Sequence, residues 1–365
     1  MAFQEAALRP ACDGARSLAH DPVDGLIILT DLSNHTKRGK NQRTLLIHQL
    51  DTLASSCGLL RCQSAHTHHD SDVGVFVAYD GGEKAHALFL GDARARWPFV
   101  HWIDLAAWGL WNTSAMRSEW AQADRGRGSF DFDIGYRMMC DFWSHGVWLL
   151  AQRLGLDYIM RIDTDSVLKC REASSGSGTP HGLIHRMRSH NLSYGYYDRG
   201  WDLPPYTRNF NKLARQYVRE QGLTLEGTFG GMHPFGDDHE GWQLGLTEEE
   251  PSRLFYTNFE IGRVRHFLRT DVREFTHAIR RSNGIFRYRW GDAIVRFLQV
   301  ALFATSREVY CFTGAQLAYC HSGCCTGSGS YDAKCCEPCL QTPVEEKNLP
   351  VGCCSAPNGP CSGRR

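Results

Sequence analysis

The feature that most restricts the fold is a repeated order, in which a stretch of helical periodicity alternates with a short apolar run that stops on acid. Phe142 to Leu156 is strongly apolar and of helical length, and Tyr158-Ile159-Met160-Arg161-Ile162 follows it and ends in Asp163-Thr164-Asp165. The same ending closes Gly25 to Thr30 (GLIILT) at Asp31. Thr44 to Leu60 then carries apolar residues at helical spacing, and Val73 to Ala78 (VGVFVA) reads as the next strand. Short apolar runs between helical segments are the pattern of buried strands in an α/β sheet. Such sheets place their ligand crevice at the carboxyl ends of the strands, so acids at those ends are where chemistry is expected.

The second half continues the alternation. Tyr206 to Gln221 reads as helical, and the glycine-rich run from Gly227 to Gly236 as an irregular loop. Arg263 to Arg281 has one apolar stripe, Val264, Phe267, Leu268, Val272, Phe275 and Ile279, which predicts a single amphipathic helix closed by Asn283-Gly284. Asp292 to Ala304 predicts a further helix and Val309 to Phe312 a last strand, while Glu172 to Pro180 (EASSGSGTP) reads as a surface loop. The domain organisation expected is a polar N-terminal tail over residues 1–24, a folded domain over 25–321 and a cysteine-rich tail over 322–365.

Charge and cysteine usage bound the function. Forty Lys and Arg balance forty Asp and Glu, which argues against a polyanion partner, because nucleic-acid affinity depends on a basic surface. Nine of the fifteen cysteines, from Cys320 onward, fall in the last 46 residues, a density that suggests disulfides or metal. Three N-x-[ST] sequons, at Asn34, Asn112 and Asn191, point with them toward the secretory lumen; a cytosolic protein with reduced thiols is the alternative. No apolar run reads as a signal peptide, membrane anchor or membrane span.

Several acids stand where chemistry is possible. Asp163 and Asp165, one residue apart after a buried strand, can hold a hard divalent cation that neutralises a diphosphate, or they can line a solvated turn. Glu260 sits among large apolar residues in Phe255-Tyr256-Thr257-Asn258-Phe259-Glu260-Ile261, as a catalytic carboxylate or as a group at a helix N-terminus. Asp292 in Arg289-Trp290-Gly291-Asp292-Ala293 reads as a helix cap or a site residue, and His321, beside Cys320, as structural or as a metal ligand. There is no P-loop, G-x-S-x-G or H-E-x-x-H sequence, which removes the commonest nucleotide hydrolase, esterase and zincin readings.

Five motifs in order complete the pattern: Tyr136-Arg137-Met138-Met139-Cys140, Tyr158 to Asp165, Tyr256-Thr257-Asn258-Phe259-Glu260-Ile261, Arg289-Trp290-Gly291-Asp292-Ala293, and Tyr319-Cys320-His321. Together they resemble the fungal α-1,2-mannosyltransferase family (glycosyltransferase family 15), which shows a Y-R-x-M-C run, a W-R-V-E-P-D strand end, S-N-F-E-I and R-W-G-D-A segments and a late histidine. The resemblance implies a single-domain GT-A-like α/β fold with a mixed, mostly parallel central sheet. It also implies a retaining transferase that moves mannose from GDP-mannose to a glycan or glycoprotein acceptor with Mn2+, in the Golgi lumen.

Carried over by residue, the resemblance makes Glu260 the candidate nucleophile or stabiliser of the sugar cation and Asp292 a contact of the donor or acceptor sugar. Tyr136, Arg161 and Trp290 become donor contacts, and Asp163, Asp165 and His321 the metal ligands. The chain departs from the family pattern at Asp163 and Thr164, which replace glutamate and proline, at Tyr288, which replaces glutamate, and at Arg296, which replaces histidine. Two alternatives stay open: a transferase of the same fold with another sugar nucleotide, and a non-catalytic carbohydrate-binding protein.

Overall fold

The computed structural model describes residues 24–32, 36–37, 40–57, 73–81, 83–111, 134–169, 178–202, 204–232, 252–312 and 318–321. They fall into two compact units, one drawn from Met1–Gly109, Tyr158–Arg186 and Thr313–Arg365, the other from Leu110–Asp157 and Met187–Phe312. The expected tails lie outside the described residues, apart from Asp24, which begins the first strand.

The first unit is built on four parallel strands. Asp24–Asp31 lies between Tyr158–Ile162 on one side and Val73–Asp80 on the other, and Val73–Asp80 pairs outward with Val100–Asp104. Leu26 stands opposite Val75 and Met160, and Ile27 opposite Phe76 and Arg161. Parallel strands need long crossovers; the helices Gln42–Cys57 and Glu83–Arg96 occupy two of those connections. Leu46, Leu50 and Leu53 bury one stripe of the Gln42–Cys57 helix, and Leu26, Ile27 and Ile28 are fully covered. Each such side chain contributes about 1.5–3 kcal/mol on removal from water. A separate antiparallel ladder joins Ser166–Lys169 to Ala318–His321.

The second unit holds a mixed sheet in which Tyr194–Tyr196 pairs antiparallel with Phe259–Arg263 and parallel with Val309–Cys311. A two-stranded sheet pairs Arg199–Asp202 with Ser252–Phe255. Aromatic rings of Tyr194, Tyr196, Phe255 and Phe297 fill the space beside the Asp292–Phe303 helix, with Phe255 4.5 Å from Tyr196 and 5.0 Å from Phe297 between ring centroids. Of the five pairings made by Asp24–Asp31, Val73–Asp80 and Tyr194–Tyr196, four are parallel and one antiparallel, the mixed and mostly parallel pattern of the expected fold class.

Three elements differ from the sequence expectation, the first being Phe229–Met232, a short helix inside the run expected to be an irregular loop. The apolar segment Phe142 to Leu156 continues back into a helix over Ile134–Asp141, with a π-helical stretch at Phe142–Gly146 before Val147–Arg153. There a Cβ on Gly146 would come within 2.9 Å of the Phe142 ring, so glycine permits the turn to sit on that ring. The stripe from Val264 to Ile279 is two helices, Val264–Phe267 and Thr270–Arg281, because Arg269 adopts an extended conformation (ψ 146°). Its guanidinium donates to Phe303 O at 2.9 Å and pairs with Asp271, which holds the break. Glu260 is on the strand Phe259–Arg263 and not at a helix start.

Candidate functional site

The acid turn belongs to the first unit. Tyr158–Ile162 is buried along its whole length, and the chain turns directly after it, with Ser166 N–H donating to Asp163 O at 3.0 Å. Gln49, buried on the neighbouring helix, donates to the same carbonyl at 2.8 Å, and Thr164 Oγ1 donates to Gln42 Oε1 at 2.6 Å. The turn is thus clamped by one helix face. Across the ladder, His321 stands in register with Ser166, and Ser166 Oγ lies 2.8 Å from Tyr319 Oη. The backbone therefore brings three sequence-predicted residues, Asp163, Asp165 and His321, to one end of one ladder.

Arg161, expected at the donor, donates from Nε to Asp163 Oδ1 at 2.9 Å and from Nη2 to Oδ2 at 3.4 Å. A guanidinium with 2% of its side chain exposed thereby neutralises one of the two acids. Two carboxylates and an imidazole are a donor set that suits a hard divalent cation such as Mn2+. Among the described residues no three His, Cys, Asp or Glu side chains gather as a metal-holding group, and the side chain of His321 is not among those described.

Three linked clusters occupy the second unit. Glu260 is in the core: Oε2 accepts from Tyr194 Oη at 2.9 Å and from Arg296 Nε at 2.9 Å, and Oε1 accepts from Arg296 Nη2 at 3.5 Å. Arg296 also donates to Gln299 Oε1 at 2.5 Å and Trp143 O at 2.7 Å, and its guanidinium lies 4.5 Å from the rings of Trp148 and Phe267, which stack on each other at 3.9 Å. The position where the family pattern has histidine therefore supplies the counter-charge of the candidate nucleophile.

Asp292 opens the Asp292–Phe303 helix, one residue after the cap Gly291, and Oδ2 accepts from Thr257 Oγ1 at 2.8 Å. Burial first, and then the Asp292 carboxylate against it, push the Cys140 thiol far above its usual range. Beside it, Arg289 donates to Asp202 Oδ2 at 2.9 Å and to Tyr136 Oη at 3.0 Å, and its guanidinium lies over the rings of Tyr136 and Tyr206. Arg289 is left-handed (φ 67°), a conformation that costs a residue with a Cβ of order 1–3 kcal/mol and is kept where surroundings hold it. Burial raises the Tyr136 hydroxyl well above its usual range against the opposing pull of Arg289.

The Tyr136 oxygen and Asp202 Oδ2 meet over Gly291, where an added Cβ would touch both at 3.8 Å. Asp202, Arg289 and Thr257 were not among the sequence candidates; a left-handed arginine and an acid 87 residues away carry no local signal. Trp290, the expected donor contact, is buried, donates from Nε1 to Arg208 O at 2.8 Å and packs edge-on against Phe210.

Residues 248–345 match the family described as glycolipid 2-alpha-mannosyltransferase. A probable mannosyltransferase from Saccharomyces cerevisiae, KTR3, is 25% identical over 231 residues, 60% of this chain and 49% of that one. An O-glycoside alpha-1,2-mannosyltransferase homologue from Schizosaccharomyces pombe is 32% identical over 209 residues, 51% of this chain and 47% of that one. The chain spans about half the length of these curated relatives. Among solved structures, the mannosyltransferase Ktr4p of S. cerevisiae superposes with a TM-score of 0.61 at 17% identity, covering 86% of this chain and 73% of that one. Core-mannan synthase A of Aspergillus fumigatus, in a Mn/GDP form, superposes at 0.58 with 18% identity, covering 88% and 82%. In sequence the chain is similar to fungal mannosyltransferases, with residues 248–345 matching the glycolipid 2-alpha-mannosyltransferase family, and in fold it is similar to Ktr4p.

Proposed function

We propose that the chain is a metal-dependent retaining glycosyltransferase that moves mannose from GDP-mannose to a glycan or glycoprotein acceptor. The observation that carries this reading is the acid turn after a buried strand, with the strand of His321 in register beside it, in a chain related to mannosyltransferases. Asp163, Asp165 and His321 would hold Mn2+, which when bound supplies positive charge to a leaving diphosphate. Arg161 orients Asp163, and Gln49 and Gln42 keep the turn closed on the helix face. In the second unit, Glu260 is the carboxylate assigned to the positive charge that grows on the sugar, and Asp292 is assigned to contact with the donor or acceptor sugar. Glu260, whose oxygens are engaged by Arg296 and Tyr194, suits charge stabilisation better than covalent capture. Tyr136, Arg161 and Trp290 are assigned to the donor, with Arg161 also paired to Asp163 and Trp290 held by its bond to Arg208 O.

The compartment proposed is the secretory pathway, at the Golgi. Its support is the relation to glycosylation enzymes and the sequence itself, with its dense cysteines and three sequons. No helix of the described residues is long and apolar enough to cross a membrane. One observation favours a second reading, glycan binding without transfer: Asp163 and Glu260 each carry an arginine within their own unit. The deciding experiment incubates the protein with GDP-mannose and methyl α-mannoside, with Mn2+ or with EDTA. Disaccharide formed only with the metal, and lost in Asp165→Asn, is the expected result. Methyl α-mannoside binding without turnover, for GDP-mannose or any other sugar nucleotide, would replace the first reading by the second.

A further inference from the structure

We propose that Asn191 carries an asparagine-linked oligosaccharide, added before its segment folds. The inference rests on the luminal reading above. Asn191-Leu192-Ser193 is one of the three sequons, and the other two asparagines lie outside the described residues.

The local geometry is that of a helix end. The helix Pro180–Ser189 closes with Asn191 left-handed (φ 53°), Asn191 N–H donating to Arg188 O at 3.0 Å and Leu192 N–H to Met187 O at 2.8 Å. This paired closure satisfies the last carbonyls of a helix and takes asparagine most readily after glycine. Asn191 is exposed.

Its amide has a fixed orientation. Arg263 Nη1 at 2.5 Å and Arg265 Nη2 at 3.3 Å both donate to Asn191 Oδ1. A guanidinium only donates, so the oxygen end must face the two arginines. Among the described residues Nδ2 donates to none. In glycan transfer from a lipid diphosphate-linked oligosaccharide, Nδ2 bonds to C1 of the first sugar, the C1–O bond to the diphosphate breaks, and Nδ2 loses one proton. The lipid diphosphate leaves with the electron pair. Oδ1 stays an acceptor throughout, so a glycosylated Asn191 keeps both arginine contacts and its turn.

Ser193 sets the order of events. In the folded chain its hydroxyl is buried and donates to Glu308 Oε1 at 2.9 Å, and its N–H donates to Glu308 O at 2.8 Å. The hydroxyl that a sequon presents to the transferring enzyme is therefore occupied once the Glu308 turn has packed.

The test translates the full chain, behind a cleavable leader, in the presence of microsomes, and scores only the protease-protected chains. Wild type is expected to lose one endoglycosidase-sensitive step of gel mobility in Asn191→Gln and in Ser193→Ala, and to keep it in Ser193→Thr. Protected, already folded chains released unglycosylated by a tripeptide inhibitor should stay unmodified when the inhibitor is washed out. Equal glycan number in wild type and Asn191→Gln overturns the site, and late modification of folded chains overturns the order. The same chain without the leader, if it stays outside the microsomes, counts against unaided luminal entry while leaving the site assignment intact.

Discussion

Arg296 and Glu260 give the sharpest quantitative expectation. The arginine side chain is fully buried and the glutamate side chain 3% exposed, with Nε and Oε2 2.9 Å apart. In Arg296→Met the carboxylate keeps the Tyr194 hydroxyl but loses its counter-charge, in a site walled by Trp148 and Phe267. Stranding one charge of a buried pair costs about 3–5 kcal/mol. Removing both charges, in Glu260→Leu combined with Arg296→Met, leaves Tyr194, Gln299 and the Trp143 carbonyl short of one partner each, losses of about 1–3 kcal/mol apiece at most that the single variants already carry. The single variants should therefore sum to more than the double, with a coupling of about 2 kcal/mol or above in a urea-denaturation cycle. Single variants each within about 1 kcal/mol of wild type, with no coupling, would refute the buried pair. The same pair bears on mechanism: a folded Glu260→Gln protein with full transfer activity removes Glu260 from the reaction.

Three further outcomes follow from burial and fit. Burial, with nearby arginines, lowers His145 from 6.5 to about 3 and His266 to about 4, so the folded state refuses protons that the unfolded chain takes. Their contribution to stability is whole above about pH 6.5 and falls as pH drops toward 4 and 3, which urea midpoints against pH will show; His266→Phe should flatten part of that slope. Gly284→Ala would place a Cβ 2.1 Å from the Trp290 ring, and thermal unfolding should report a loss of about 3 kcal/mol or more. Cys140, whose thiol is buried and pushed up, should resist iodoacetamide at pH 8 in the native protein and react in urea; equal labelling in both would contradict its burial.

The sequence alone carried the strands Asp24–Asp31, Val73–Asp80 and Tyr158–Ile162, because a strand buried on both faces must be apolar throughout, and a continuous run is visible without a partner. It carried the acid turn for the same reason, as the abrupt end of such a run. Val100–Asp104 escaped it: this strand pairs on one side with Val73–Asp80, alternates burial poorly and sits in a tryptophan-rich stretch. The break at Arg269 escaped as well, since the apolar stripe continues through it while the contact that fixes it comes from Phe303, 34 residues away.

Residue types at the candidate site were legible, but their partners were not. Glu260, Asp292 and Trp290 stand out as an acid among aromatics or as parts of an ordered motif. Whether each faces a ligand or the core depends on groups far along the chain: Arg296 for Glu260, Thr257 for Asp292, Arg208 and Phe210 for Trp290. A periodic pattern reports which face of an element is covered, and it does so locally. Which charge sits opposite which is set by strand register and helix packing, and only the tertiary structure decides that.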